Sequence, residues 1–500
     1  MVLSKKNPDE RRWRTMRVRV PPKLSALVLV LCLCAVLNAC AGSGSGSGSA
    51  AEPAEEAPAS ESSPPAEEYG DEIVLAERGG TTEFTLVCDL ADREEALADI
   101  FRIRDAFKKD LRVELPVKDS GQKDDGSAEI VVNARNRKGC ADLLAGLEKG
   151  EFAVRVSPGG EGEQPKINIA YKGDAARMCA VNAFLDASMN GEKAAVPADL
   201  DLRGSADGLL ITSSIPVLRD PFIVLEDGVY YAYGTGWVCY ENKSGSLAGG
   251  WNSLGVVVDI PADAEGDHWA PEVHRRDGKF YMFTTYRSRR TGHRGCSIFE
   301  SDTPTGPFRE ITDGHVTPKN WDSIDGTYYV DESGQPWMIF VHEWTSTPDS
   351  VGRMAAAKLS DDLTHFISEP VELFRADDAK WAKNGVTDGC FMHRCADGQL
   401  LMLWSNWDSA GYCVGIARSA TGAVEGPWTQ DSDLLYSKNM TGEYDGGHGM
   451  LFTAADGSLY LSIHSPNSAV GSRRETPVFI RVKEKDGTLV WDTPSVSGGK

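Results

Sequence analysis

Five residues at near-regular intervals could do acid–base work together: Asp220, Glu272, Asp325, Asp388 and His448, about 50 to 60 positions apart. Each leads one copy of a repeated design, in which a polar residue is followed by an apolar strand, a Gly turn and a second apolar strand. The copies read RDPFIVLEDGVYYAY from Arg219, WAPEVHRRDGKFYMFTTY from Trp269, SIDGTYYVDESGQPWMIFV from Ser323, VTDGCFMHRCADGQLLMLWS from Val386 and GGHGMLFTAADGSLYLSIHS from Gly446. Repeats of this length, made of short strands, are expected to stack radially as blades. The start of every innermost strand then faces one mouth of a central channel. Four carboxyl groups and an imidazole, remote in sequence, would meet in one pocket, and that convergence is the reason to expect chemistry.

The elements that must position them follow from local pattern. From about residue 205 the chain consists of aromatic and β-branched runs separated by Asp-Gly and Ser-Gly pairs, the grammar of hairpins. Asp227-Gly228, Asp277-Gly278, Asp397-Gly398 and Asp456-Gly457 are read as hairpin tips rather than as chemistry. Ser297–Phe308 and Val414–Trp428 share a Ser-to-Gly-Pro-aromatic ending that marks outer strands. Residues 205–495 thus accommodate five blades of about four strands each. Before them, residues 69–200 alternate strand and helix periods. Strands are expected at Glu83–Leu90 and Ala128–Ala134, helices over Arg93–Leu111, Lys138–Glu148 and Asp174–Met189, and a hairpin from FAVRVS and KINIAY. The predicted fold is an all-β five-bladed β-propeller preceded by a small α/β domain. That first domain carries no phosphate-type Gly loop and no acidic pair, so its expected role is structural or docking, with carbohydrate binding as the other reading.

Residues 1–40 read as a signal peptide. A basic leader precedes an apolar run, Leu24–Leu37, of only about 14 residues, too short to span a bilayer comfortably. It ends in Leu37-Asn38-Ala39-Cys40, which resembles the lipobox of bacterial lipoproteins and implies cleavage before Cys40 and acylation of its thiol; ordinary secretion is the other reading. Residues 41–68, rich in Gly, Ser, Ala, Pro and Glu, cannot bury a core and are expected to be a disordered tether. The formal charge of −22 argues against nucleic-acid binding and is compatible with a neutral partner such as a sugar. Among the eleven cysteines there is no CxxC pair beyond the leader to suggest zinc. Cys395 and Cys413 could pair within one blade, but small buried hydrophobes is the favoured reading for the eight beyond Cys40.

Arg219-Asp220-Pro221, Trp269-Ala270-Pro271-Glu272, Ser323-Ile324-Asp325 and Thr387-Asp388-Gly389, with Gly447-His448-Gly449, resemble glycoside hydrolase family 43 in order and spacing. The resemblance covers residues 205 to about 495. It implies a glycosidase cleaving arabinofuranosyl or xylosyl linkages in plant-type glycans with inversion, with Asp220 as general base, Asp325 as the carboxylate that raises the acid's pKa, and Asp388 as general acid. Inversion needs a base and an acid roughly 6.5–9.5 Å apart, leaving room for a water. Asp388 stands where the family has Glu, and Cys390 where it has Pro, so Glu343 of His342-Glu343-Trp344 is a rival acid. A surface glycan-binding propeller without catalysis is the alternative function, and a purely structural lipoprotein a third. Glu272, Trp269, Glu343 and Trp344 are the expected substrate-binding residues, and Trp237 and Trp407 further candidates to stack on sugar. By the same resemblance His448 is a candidate neighbour of a Ca2+ ion in the channel, although no cofactor is required. The expected partner is an oligosaccharide or polysaccharide, with no nucleic acid, membrane contact only through Cys40, and a monomeric, extracytoplasmic protein.

Overall fold

The computed structural model describes residues 72–498 apart from 91–92, 160–161, 442–443, 472 and 494–496. The expected signal peptide, Cys40 and tether lie outside the described residues. Five antiparallel sheets follow one another from Phe222 to Trp491 and form the five blades. Their innermost strands are Phe222–Glu226, Ala264–Arg276, Ser323–Val330, Asp388–Arg394 and Gly447–Thr453. The second strand of blade three, Pro336–His342, is buried at every position, because neighbouring blades cover both faces. In blades one and two the hairpins close with two left-handed residues each, Asp227-Gly228 at φ 49° and 77° and Asp277-Gly278 at 51° and 80°. That geometry matches strand twist and accounts for the Asp-Gly pairs.

Blades one to four have four strands; blade five gains another. Leu210–Thr212 pairs antiparallel with the third strand of blade five, Thr476–Lys485, before the chain enters blade one. The seam between first and last blades is then laced by Leu218 N–H to the Glu475 carbonyl, Ser213 N–H to the Pro477 carbonyl and the Arg219–Glu475 ion pair at 2.7 Å.

In the α/β domain the expected elements form, with helices at Arg93–Ala106 (continued by a π turn to Leu111), Lys138–Ala145 and Asp174–Ser188. Thr85–Cys88, Val117–Asp119, Glu129–Val132 and Lys166–Tyr171 run parallel. Glu151–Ser157 pairs antiparallel with Lys166–Tyr171, as the hairpin reading requires. Asp201–Ser205 and, at its edge, Ser497–Gly498 extend the same sheet. A separate two-stranded sheet joins Glu72–Glu77 to Lys193–Pro197. The eight cysteines beyond Cys40 are all free and buried, so Cys395 and Cys413 are not bridged.

The domain does not hang free of the wheel. One apolar cluster runs from Phe107, Val154 and Phe184 into Leu403, Ile416, Leu461, Ile480 and Trp491 of blades four and five. Each such side chain contributes about 1.5–3 kcal/mol when fully buried. A chain beginning at residue 205 should therefore expose this face. We expect it to bind a hydrophobic dye and to lose at least 10 °C in Tm relative to a chain beginning at Asp71, about 3 kcal/mol or more for a domain of this size; equal thermal unfolding curves would contradict the shared core.

Candidate active site

Each blade after the first enters the channel through a β-bulge. The ladder skips between Trp269 and Glu272, Ile324 and Thr327, Asp388 and Phe391, and Gly447 and Met450. Within each bulge the first extra residue is left-handed: Ala270 at φ 41°, Asp325 at 56°, Gly389 at 51° and His448 at 54°. Asp220, ahead of the innermost strand of blade one, is left-handed as well, at 55°. Asp and His tolerate this region better than most side chains. The five residues read from the sequence as equivalent therefore are not. Asp220, Asp325 and His448 share the left-handed position, Asp388 precedes it, and Glu272 follows it by two.

This offset decides which side chains meet. Asp220, Asp325, Asp388 and His448 line one cavity of about 390 Å³, together with Glu343, Trp269, Trp344 and Trp407. Glu272 does not line it. Its buried carboxylate lies beside His274 on the same strand, 3.1 Å from Nε2, and the expectation that it fixes sugar hydroxyls is corrected by that register. Trp237 is also corrected. It is fully buried, stacked on His268 at 4.1 Å, and donates to Thr284 Oγ1 at 2.7 Å, because its own left-handed backbone turns the ring into the wall between blades. Two larger cavities, about 640 and 600 Å³, lie between the α/β domain and the outer strands of blades four and five. Two of the carboxylates there are already paired, Asp431 with Arg418 and Asp433 with Lys109.

Asp220 is the best-supported anion of the pocket. Thr235 Oγ1 donates to its Oδ2 at 2.5 Å, and Arg219 Nε lies 3.6 Å from Oδ1. Adjacent strand residues normally face opposite ways, but the left-handed turn brings Asp220 back toward the Arg219 guanidinium. His448 Nδ1 and His464 Nδ1 each stand 3.3 Å from the same oxygen. Burial alone would raise this carboxyl, yet His448, His464 and Arg219 outweigh it and hold it well below the usual carboxylate range.

The opposite holds across the cavity. Asp388 is pushed well above the usual range, first by burial and then by the adjacent Asp325 carboxyl, to which it is hydrogen-bonded. Tyr412 donates to Asp388 Oδ2 at 2.7 Å. Asp325 is raised to about 6, by burial and by the charges of Asp220 and Glu343, while the Gly389 N–H donates to its Oδ2 at 2.9 Å and opposes the rise. Two carboxyls this close resist ionising together, so each raises the other's affinity for a proton. The Cys390 thiol donates to the Asp325 carbonyl at 3.1 Å.

Glu343 has a different neighbour. Arg294 grips it with two hydrogen bonds, at 2.6 and 2.7 Å, and stands 5.2 Å over the Trp269 ring. Burial raises this carboxyl, but the fork gives both oxygens a cationic donor and suits it to accept hydrogen bonds as an ion. Tyr412, His464, Thr235 and Arg294 are functional neighbours that the repeat pattern does not single out, since they lie on second or third strands or, for Thr235, just past a second strand.

Asp325, Asp388 and His448 have donor atoms within 4.8 Å of one another. Calcium takes roughly six to eight oxygen ligands. This grouping offers two carboxyls already bonded to each other and one nitrogen, so it does not fit calcium.

The arrangement amounts to one carboxyl whose neighbours favour the anion and one whose neighbours favour the acid, sharing an aromatic-lined cavity at one mouth of a five-bladed propeller. Residues 214–488, more than half of the chain, match Glycosyl hydrolases family 43. The chain belongs to this family and is a glycosidase. It is similar to the extracellular exo-α-(1→5)-L-arabinofuranosidase ArbA of Cellvibrio japonicus (strain Ueda107), 23% identical over 295 residues, which span 50% of this chain and 80% of the relative. It is similar also to arabinan endo-1,5-α-L-arabinosidase A of Aspergillus niger, 25% identical over 272 residues, spanning 50% and 75%. Among solved structures it resembles an endo-arabinase from Bacteroides thetaiotaomicron VPI-5482, with 36% identity, 56% of this chain and 99% of that chain covered, and a TM-score of 0.49.

Gly389 ties blade four to blade five. A Cβ there would stand 2.8 Å from both Cα and Cγ of His448, whose backbone cannot give way. Gly389→Ala should displace His448 from Asp220 and reduce glycosidase activity by at least about a hundredfold, with the fold retained by circular dichroism; wild-type turnover in that variant would show the interlock to be dispensable.

Proposed function

We propose that the protein is an inverting hydrolase of arabinofuranosyl or xylosyl linkages in plant-type glycans. The observation that carries the reading is that Asp220, set among two imidazoles and a guanidinium, and Asp388, set against a carboxyl and a phenol, line one cavity. The family and the relatives named above support the pentose glycan. In the proposed reaction Asp220 takes a proton from a water whose oxygen bonds to the anomeric carbon. The bond from that carbon to the leaving oxygen breaks with its electron pair, and Asp388 gives that oxygen its proton. Asp325, as an anion beside it, keeps Asp388 protonated until then. Glu343, fixed by Arg294, accepts hydroxyls of the sugar, and Trp269, Trp344 and Trp407 offer apolar faces to the ring.

The pH dependence follows from these shifts. Asp325 must be ionised, so activity should rise through about pH 6 as it loses its proton. Asp388 must be protonated, so activity should fall at higher pH as it ionises. Replacing Asp325 with Asn removes the charge that raises Asp388 and should move the falling limb to lower pH. Using a chain beginning at Asp71 and chromogenic arabinofuranosides and xylosides, Asp220→Asn and Asp388→Ala should each lose about 10²- to 10⁴-fold in kcat, and Glu343→Ala should act mainly on KM. A collapse of kcat in Glu343→Ala with Asp388→Ala unimpaired would transfer the acid role to Glu343. Sugar binding by calorimetry without any turnover would leave the non-catalytic glycan-binding reading, in which the short Asp388 reaches only its protein partners.

We further propose that residues 1–40 direct the chain out of the cytoplasm and that Cys40 carries a lipid, with residues 41–68 as tether. Mass spectrometry of the mature protein should find an acylated N-terminal Cys40, lost in Cys40→Ala; an unmodified mature N-terminus elsewhere would mean a secreted protein.

A further inference from the structure

Tyr412 opens the third strand of blade four, Tyr412–Ser419, and no repeat motif marks it. It is fully buried, and its phenol donates to Asp388 Oδ2 at 2.7 Å. The ring is held on several sides. It stacks on His464 with centroids 5.5 Å apart and 24° between planes, and leans on Trp407 at 4.6 Å. Its backbone N–H donates to Asp445 Oδ2 at 3.2 Å. Beneath it lies Gly447 of the Gly446-Gly447-His448 run. A Cβ on Gly447 would approach the tyrosine ring to 2.6 Å at Cε1 and 2.7 Å at Cδ1, so that glycine leaves the room the ring fills.

A carboxylic acid has one oxygen that carries the proton and one that accepts. A donor fixed on Oδ2 leaves Oδ1 as the oxygen for the proton and stops the carboxyl from rotating freely. We propose that Tyr412 is a positioning residue for proton delivery, locking the Asp388 carboxyl and assigning its proton to Oδ1. The proposal rests on the reading of Asp388 as general acid. It also gives a physical role to the shortness of Asp388. A side chain with fewer torsions than Glu, pinned at one oxygen, keeps a single geometry for the transfer, and misplacement by about 1 Å can cost on the order of a hundredfold.

Tyr412→Phe deletes only the hydroxyl. Three readouts separate positioning from a merely structural role: the kcat-against-KM split, the pH profile of kcat, and sensitivity to the leaving group. We expect kcat to fall about ten- to a hundredfold on an alkyl pentoside, with KM within about twofold. Most of that loss should be recovered on a dinitrophenyl pentoside, whose leaving group needs no proton. The falling limb of the pH profile should move upward, because the lost donor had favoured ionised Asp388. Gly447→Ala, which crowds the same ring, should reproduce the leaving-group pattern and carries the test if Tyr412→Phe misfolds. Asp388→Ala is run alongside. If it is rescued by the dinitrophenyl substrate while Tyr412→Phe keeps the wild-type leaving-group dependence and falling limb, the positioning proposal is overturned and the acid assignment stands. If Asp388→Ala itself gains nothing from that substrate, the acid assignment fails and the Tyr412 proposal fails with it.

Discussion

Asp220, Asp325 and His448 reach one another because the backbone at each takes a left-handed turn that a regular strand would not allow. A non-glycine residue in a sparsely populated region of this kind costs on the order of 1–3 kcal/mol. Each has its backbone N–H held by a side chain of another blade, Asp220 by His464 Nδ1 at 3.3 Å. Asp325 N–H donates to Thr285 Oγ1 at 2.9 Å and His448 N–H to Ser405 Oγ at 2.9 Å, both from the neighbouring or adjoining strand of another blade. The packing of the blades thus supplies what the local conformation lacks, and the strain is concentrated where the acidic groups converge.

Electrostatics then separate groups of like chemistry. Asp220 and Asp388 are both aspartates on one cavity, yet one faces two imidazoles and a guanidinium and the other faces a carboxyl and a phenol. Glu343, also on that cavity, is claimed by Arg294. Three carboxyls therefore differ in proton affinity because of what stands beside each, which is the condition for dividing acid, base and binding duties among them.

Much of this was legible in the chain. Repeat length, Asp-Gly turns and apolar strands are local signals, and they mark the blades and hairpin tips correctly. Asp220, Asp325 and Asp388 were readable because each leads a repeat, and Glu343 because it stands between His342 and Trp344. The bulge register was not readable, and it separates Glu272 from the pocket while admitting Asp388 from one position earlier. Nor could sequence tell Trp237, buried between blades, from Trp269, which faces the cavity. Tyr412 and His464 sit on strands whose pattern reports only burial, and their roles come from contacts across blades. In the α/β domain, Lys193–Pro197 and Asp201–Ser205 are too short and too poor in β-branched residues to stand out as strands.

The ring is closed by Leu210–Thr212, a stretch that belongs to the passage from the α/β domain rather than to any repeat. Asp220 of blade one meets His448 and His464 of blade five across that same junction. The link between the two domains is consequently a rung of the wheel, and the wheel's closing seam runs through its chemistry. Grafting the propeller onto another carrier would require bringing this rung along, since a recombinant boundary drawn just after it would unfasten the pocket without touching a single residue that lines it.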